Sequence, residues 1–138
     1  MRQPARPIAR VALAVVAVAL LVPALTACGI GKASNEEKIS KTATTYLRAL
    51  ADGDAAKACS ELTRRARRGG CPRVMRERAS QLDADTLRRA ADDSMDIDVH
   101  GDSATAGLSE PDGARFVLAR SGGEWRIDSG YTLGSASS

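Results

Sequence analysis

After Asp93 the apolar residues of this chain change their period, and that switch constrains the fold more than any other feature of the sequence. Before it, apolar residues recur at the spacing of one helix face. Beyond it, Met95, Ile97 and Val99 alternate with Asp96, Asp98 and His100, and Ala104, Ala106 and Leu108 alternate with Ser103, Thr105 and Gly107. Alternation sends one face of a strand into a core and the other into water. Gly101-Asp102, Pro111-Asp112-Gly113 and Ser121-Gly122-Gly123 read as turns. They set off two further strands: Ala114 to Arg120, carrying Phe116 and Leu118, and Glu124 to Gly130, with Trp125 and Ile127 inward. Connections this short force an antiparallel meander. Its polar face leaves room for helices on one side only. The expected class is therefore α+β, with N-terminal helices packed on one face of a four-stranded antiparallel sheet.

The helical part divides at its breakers. Ile39, Ala43, Tyr46, Leu47 and Leu50 mark an amphipathic helix over residues 36–51, with Ser34 and Glu37 as a capping box. Asp52-Gly53-Asp54 ends it and can cap a second helix, whose stripe is Ala55, Ala58, Cys59, Leu62 and Ala66 and whose end is Gly69-Gly70. Pro72 opens a third helix with Val74, Met75, Ala79 and Leu82 as its apolar contacts. Asp83 to Ala91 reads as a fourth.

The N-terminus carries an address. Arg2, Arg6 and Arg10 precede an uncharged apolar stretch from Val11 to Leu25, the layout of a secretory signal peptide. A permanent membrane helix is the alternative, but a span takes about 20 apolar residues, and Pro23 interrupts this shorter run. Leu25 is too bulky for an ordinary signal-peptidase site. Leu25-Thr26-Ala27-Cys28-Gly29 instead resembles the lipobox of bacterial lipoproteins. That resemblance implies cleavage after residue 27, a diacylglyceryl group on the Cys28 thiol, and palmitate-type acylation at the outer face of the cell membrane. Stable anchoring takes more than one acyl chain. Residues 28–35 read as the lipidated cysteine and a flexible tether, whose seven residues after Cys28 reach about 25 Å at most. Residues 36–130 read as the folded domain and 131–138 as a polar tail.

Charge and cysteines follow from that division. The chain holds 20 basic and 17 acidic residues, and Arg2, Arg6 and Arg10 account for the difference. A neutral mature chain has no global electrostatic reason to seek nucleic acid. Tyr46, Phe116, Trp125 and Tyr131 are the only aromatics, so stacking material is scarce. Lipid on Cys28 leaves Cys59 and Cys71 in an oxidising compartment, where a disulfide is expected. Two inert thiols or a metal pair are the alternatives. A metal would need two further ligands, and the single histidine, His100, is remote in sequence.

A second resemblance rests on three places. They are Tyr46-Leu47-Arg48-Ala49-Leu50-Ala51-Asp52-Gly53-Asp54, Ala58-Cys59-Ser60-Glu61-Leu62 with Gly70-Cys71-Pro72, and Gly123-Glu124-Trp125-Arg126-Ile127-Asp128. Together they resemble small exported members of the nuclear transport factor 2-like (ketosteroid-isomerase-like, cystatin-like) superfamily. This implies a curved antiparallel sheet wrapped around helices, often with a cone-shaped pocket. Other members commonly insert a strand pair where residues 71–91 of this chain are arginine-rich and read as helical.

Enzymes of that superfamily use inward-facing Asp, His or Tyr. Here the inward positions are Met, Ile, Val, Ala, Leu, Phe and Trp. His100 shares its strand face with Asp96 and Asp98, towards solvent, and Tyr46 is expected to be buried with its hydroxyl satisfied. Asp92, Asp93, Asp96, Asp98 and Asp102 lack the spacing and glycine of a calcium loop and read as a solvated acidic face. The sequence thus assigns no catalytic residue, cofactor or metal ligand. Its most informative surface is Arg64, Arg65, Arg67, Arg68, Arg73, Arg76 and Arg78, flanking the cysteine pair and opposed by Glu77. Such a run is either a solvated face or a patch for anionic lipid or an acidic protein partner. Each basic residue near an anionic membrane adds about 1 kcal/mol. The leading expectation is a lipid-anchored, non-enzymatic binding or interaction module. The competing one is a small-molecule enzyme, which would need an inward carboxylate or histidine in a deep cavity.

Mass spectrometry of the protein from cell envelopes should find Cys28 as the N-terminal residue with diacylglyceryl on its sulfur, and Cys28→Ser should stay unprocessed or be released. An unmodified N-terminus at Cys28 or later contradicts the lipobox reading.

Overall fold

The sheet expected after Asp93 is present. The computed structural model describes residues 28–109 and 113–130, with side chains from residue 34 onward. Strands β1 (Asp96–His100), β2 (Ser103–Gly107), β3 (Arg115–Ser121) and β4 (Glu124–Ser129) lie in the order β1-β2-β3-β4, each pair antiparallel. Gly122 and Gly123, at φ +61° and +81°, form the two-residue turn between β3 and β4, a conformation that needs positive φ at both central positions. Of the turn at 111–113 only Gly113 is described, and the tail 131–138 lies outside the described residues.

Four helices precede the sheet: α1 (Cys28–Ala51), α2 (Ala55–Ser60), α3 (Cys71–Gln81) and α4 (Ala84–Asp92). The Asp54 side chain caps α2 through the Lys57 N–H at 2.9 Å, and Asp83 caps α4 through the Thr86 N–H at 2.8 Å. Pro72 sits in the first turn of α3, as its fixed φ favours.

Two boundaries depart from expectation. Helix α1 starts at Cys28, so residues 28–35 are helical rather than a flexible tether, and Ser34 and Glu37 lie inside the helix instead of capping it. Extending a docked helix backward costs little once it is nucleated. Here Asn35, on that extension, accepts a hydrogen bond from the Trp125 indole at 3.4 Å. At a rise of about 1.5 Å per residue, the stretch from Cys28 to residue 36 spans about 12 Å as a rigid rod. The second departure is α2, which stops at Ser60 although the apolar stripe continues to Ala66. Leu62 leaves the helix to pair in parallel with Ile127 at the edge of the sheet.

The core lies between α1 and the inner sheet face. Ile39, Ala43, Tyr46, Leu47 and Leu50 of α1 meet Phe116, Leu118, Trp125 and Ile127, with Leu62, Met75 and Leu87 closing the flanks; all are buried. The Tyr46 ring stands edge-on to Phe116, centroids 5.6 Å apart, and its hydroxyl donates to the Met75 sulfur at 3.4 Å. The Thr42 hydroxyl donates to the Trp125 carbonyl at 3.1 Å. Ile97 and Val99 are only half-buried because β1 is an edge strand. No described helix is long and apolar enough to cross a membrane.

Cys59 and Cys71 are joined in a disulfide with Cα atoms 6.1 Å apart, both buried. Replacing both by serine should lower unfolding stability by about 3 kcal/mol, since the bridge closes a short loop. Denaturant unfolding checks this, and alkylation of the unreduced protein should label neither cysteine.

Candidate interaction surface

The arginine-rich segment takes its shape from backbone pairing. The Ile127 N–H donates to the Glu61 carbonyl at 2.9 Å, and the Thr63 N–H donates to the Ile127 carbonyl at 2.8 Å. Edge strand β4 thereby holds residues 61–63 extended. From Thr63 the chain turns: the Arg67 N–H reaches the Thr63 carbonyl at 3.1 Å, and the Ala66 N–H donates to the Thr63 hydroxyl at 3.2 Å. Gly69 and Gly70, at φ +82° and +81°, complete the reversal into α3.

This placement divides the seven arginines. Arg64, Arg67, Arg68, Arg73 and Arg76 are exposed and Arg78 is half-buried. None of these six holds a carboxylate among the described residues. Arg65 is different. Its guanidinium grips Asp128 of β4 with two nitrogens, Nε at 3.2 Å from Oδ1 and a terminal nitrogen on Oδ2. The expectation that Glu77 alone opposes the cluster is corrected accordingly: Asp128 neutralises Arg65 and makes it a structural clamp. Arg64, Arg65 and Arg67 line a groove of about 710 Å³ with Ser121, Glu124 and Arg126. Arg73, Arg76 and Arg78 stand on α3 beyond the disulfide.

The Arg65 hydrogen bonds, aided by the Thr63 hydroxyl at 2.7 Å, hold the Asp128 carboxyl below the usual carboxylate range. Thr86 does the same to Asp83 at the α4 cap, through its hydroxyl first and then its N–H.

The remaining sequence candidates are dispersed. His100 is exposed, with Nε2 at 2.9 Å from Asp98 Oδ2 on the outer face of β1. Asp92 holds Arg48 and Asp102 holds Arg120, each at 2.6 Å, and Asp93 caps the Ser94 N–H. Among the described residues no three metal-ligating side chains come together. The space between α1 and the sheet is filled by the core. Cys28 is the first residue of α1 and its side chain lies outside the described set, as do residues 25–27 of the lipobox.

Glu61 escaped the sequence reading. Its carboxylate is 9% exposed, with Lys57 at 3.3 Å and Arg126 at 3.5 Å. Lys57 reaches it from one helical turn earlier in α2, and its other partner, Arg126, comes from β4. No family model matches the chain, and no curated protein or solved structure matches it.

Because its folded pKa is depressed, Asp128 contributes stability above the unfolded value of about 3.9, and that contribution is lost as pH falls through the folded pKa. Asp128→Asn should cost about 1 kcal/mol at neutral pH, a modest figure because Arg65 is screened by solvent. The gap should start to close below about pH 4 and vanish only once the pH has fallen through the depressed Asp128 pKa, checked by urea unfolding down through that range. A gap that persists in acid contradicts the clamp.

Proposed function

We propose that this chain is a lipid-anchored cell-envelope protein, held on the outer face of the cell membrane through Cys28, that works as a non-enzymatic interaction module. Its working surface is the arginine face. One observation carries this reading. Arg64, Arg67, Arg68, Arg73, Arg76 and Arg78 hold no carboxylate among the described residues, whereas Arg48, Arg65, Arg88, Arg120 and Arg126 each hold one. Six such arginines gathered between residues 64 and 78 give that face a local positive field.

Anionic lipid is the surface that this field fits best. A helix running from Cys28 straight into the core keeps the domain within reach of the headgroups, and several basic residues acting together give useful attraction there. An acidic protein partner is the other occupant. The small-molecule enzyme draws less support: the carboxylate nearest the core, Glu61, is engaged by Lys57 and Arg126 rather than aimed into a deep cavity. The likeness to nuclear transport factor 2-like proteins is supported by the order of helices before an antiparallel meander. The helices α3 and α4, in place of a strand pair, depart from that pattern.

The test uses the chain from residue 28 onward with Cys28→Ser, which retains every core residue. It should co-sediment with vesicles containing anionic lipid at low salt and dissociate as salt rises, because exposed charges are screened within about 8 Å at physiological ionic strength. Reversal of Arg64, Arg67 and Arg68 to glutamate should abolish binding with the fold intact, since exposed changes cost under about 0.5 kcal/mol each. Equal binding by the reversed variant, or none by the wild type, rules the lipid surface out.

A further inference from the structure

A second basic feature lies on the other side of Glu124 and Arg126, where α1, α2 and the start of β4 enclose a cleft of about 340 Å³. That volume is at the lower end of small-ligand sites, roughly 300–1,000 Å³. Lys38, Lys41, Thr42 and Thr45 line it from α1. Their spacing puts them on one helix face, next to the face that Ile39, Ala43, Tyr46 and Leu50 bury in the core. Lys57 closes it from α2, Arg126 and Trp125 from β4, and the Glu61 carboxylate lies between the two flanking cations.

We propose that this cleft binds a phosphomonoester group. The charge count selects that chemistry. Lys38, Lys41, Lys57 and Arg126 face only Glu61 and Glu124 among its lining residues, an excess of two positive charges. A carboxylate, a phosphodiester or a sulfate ester brings one negative charge, whereas a phosphomonoester brings about −1.5 to −2 at neutral pH. Glu61 holds Lys57 at 3.3 Å and Arg126 at 3.5 Å, and Glu124 holds Arg126 at 2.6 Å, so these cations are positioned before any ligand arrives. Lys38 and Lys41 hold no carboxylate among the described residues and remain for the anion. Lysine ammonium groups suit phosphate as point charges, and the Thr45 hydroxyl adds a donor at the rim. The site depends neither on the lipid anchor nor on the free arginines. It shares only Glu124 and Arg126 with the arginine-lined groove.

The phosphomonoester could belong to a soluble metabolite or to a lipid headgroup, and the experiment separates the two. The chain from residue 28 with Cys28→Ser is titrated with inorganic phosphate, with glycerol 3-phosphate, and with vesicles containing either phosphatidate or phosphatidylglycerol. Binding is read by calorimetry and by the fluorescence of Trp125, the only tryptophan, which lines the cleft. Saturable binding of glycerol 3-phosphate identifies a soluble ligand, and binding of phosphatidate vesicles alone identifies a headgroup. Either result should weaken at least about tenfold in Lys38→Gln/Lys41→Gln, since two of the point charges that grip the phosphate are removed. Circular dichroism confirms that this variant folds. Reversal of Arg64, Arg67 and Arg68 should leave glycerol 3-phosphate binding unchanged, which keeps this site distinct from the arginine face. The proposal is overturned if neither readout responds to any monoester. It is equally overturned if the lysine variant binds like wild type, or if phosphatidylglycerol vesicles match phosphatidate while soluble monoesters are ignored.

Discussion

Two backbone hydrogen bonds to Ile127, from Thr63 and to Glu61, organise most of what is distinctive in this molecule. They stop α2 at Ser60, two residues before Leu62 pairs with β4. They occupy the open edge of β4, where unpaired N–H and carbonyl groups would otherwise face water. They also direct the next residues over the outer side of the sheet, where Arg65 finds Asp128. The disulfide between Cys59 and Cys71 then fixes the start and end of the same excursion. Backbone pairing, ion pair and covalent bridge all act on one segment, and that segment carries Arg64, Arg67 and Arg68.

Helix α1 provides the other half of the architecture. One face buries Ile39, Ala43, Tyr46, Leu47 and Leu50 against the sheet and the flanking helices. The adjoining face carries Lys38, Lys41 and Thr45 to the cleft. Thr42 lies at the boundary, buried, with its hydroxyl on the Trp125 carbonyl. On the far side, Arg48 and Asp52 tie the helix to Asp92 and Arg88 of α4. These exposed pairs add little energy, so the packing of α1 rests on its apolar stripe and on the Tyr46–Phe116 contact.

The acids are distributed with a purpose that composition conceals. A near balance of 20 basic and 17 acidic residues suggests a featureless surface, yet Glu61 and Asp128 hold the inner ends of the basic region while its outer arginines stay bare. A carboxylate that positions a cation differs from one that cancels a field. Glu61 fixes Lys57 and Arg126 at the cleft, and Asp128 fixes the loop from which Arg64 and Arg67 project.

Local pattern alone determined the class of this fold. The change from helical spacing to alternation at Asp93 is a short-range property, and the turns at Gly101-Asp102 and Gly122-Gly123 set neighbouring strands by geometry within a few residues. The inward assignment of Phe116, Leu118, Trp125 and Ile127, the capping by Asp54, and the solvent-facing His100 were legible for the same reason. The Cys59–Cys71 pairing was expected once Cys28 was set aside for lipid, and the two sulfurs are bridged. Only tertiary structure decided what depends on residues distant in sequence. The apolar stripe through Leu62 and Ala66 is equally consistent with a longer helix, until the Ile127 backbone offers Leu62 a better partner. Seven arginines look alike in sequence, and Asp128, brought alongside by β4, singles out Arg65. Glu61 gains its distant partner only because β4 brings Arg126 alongside it. Backbone propensity acts over a few residues, whereas charge pairing and burial are properties of the packed chain.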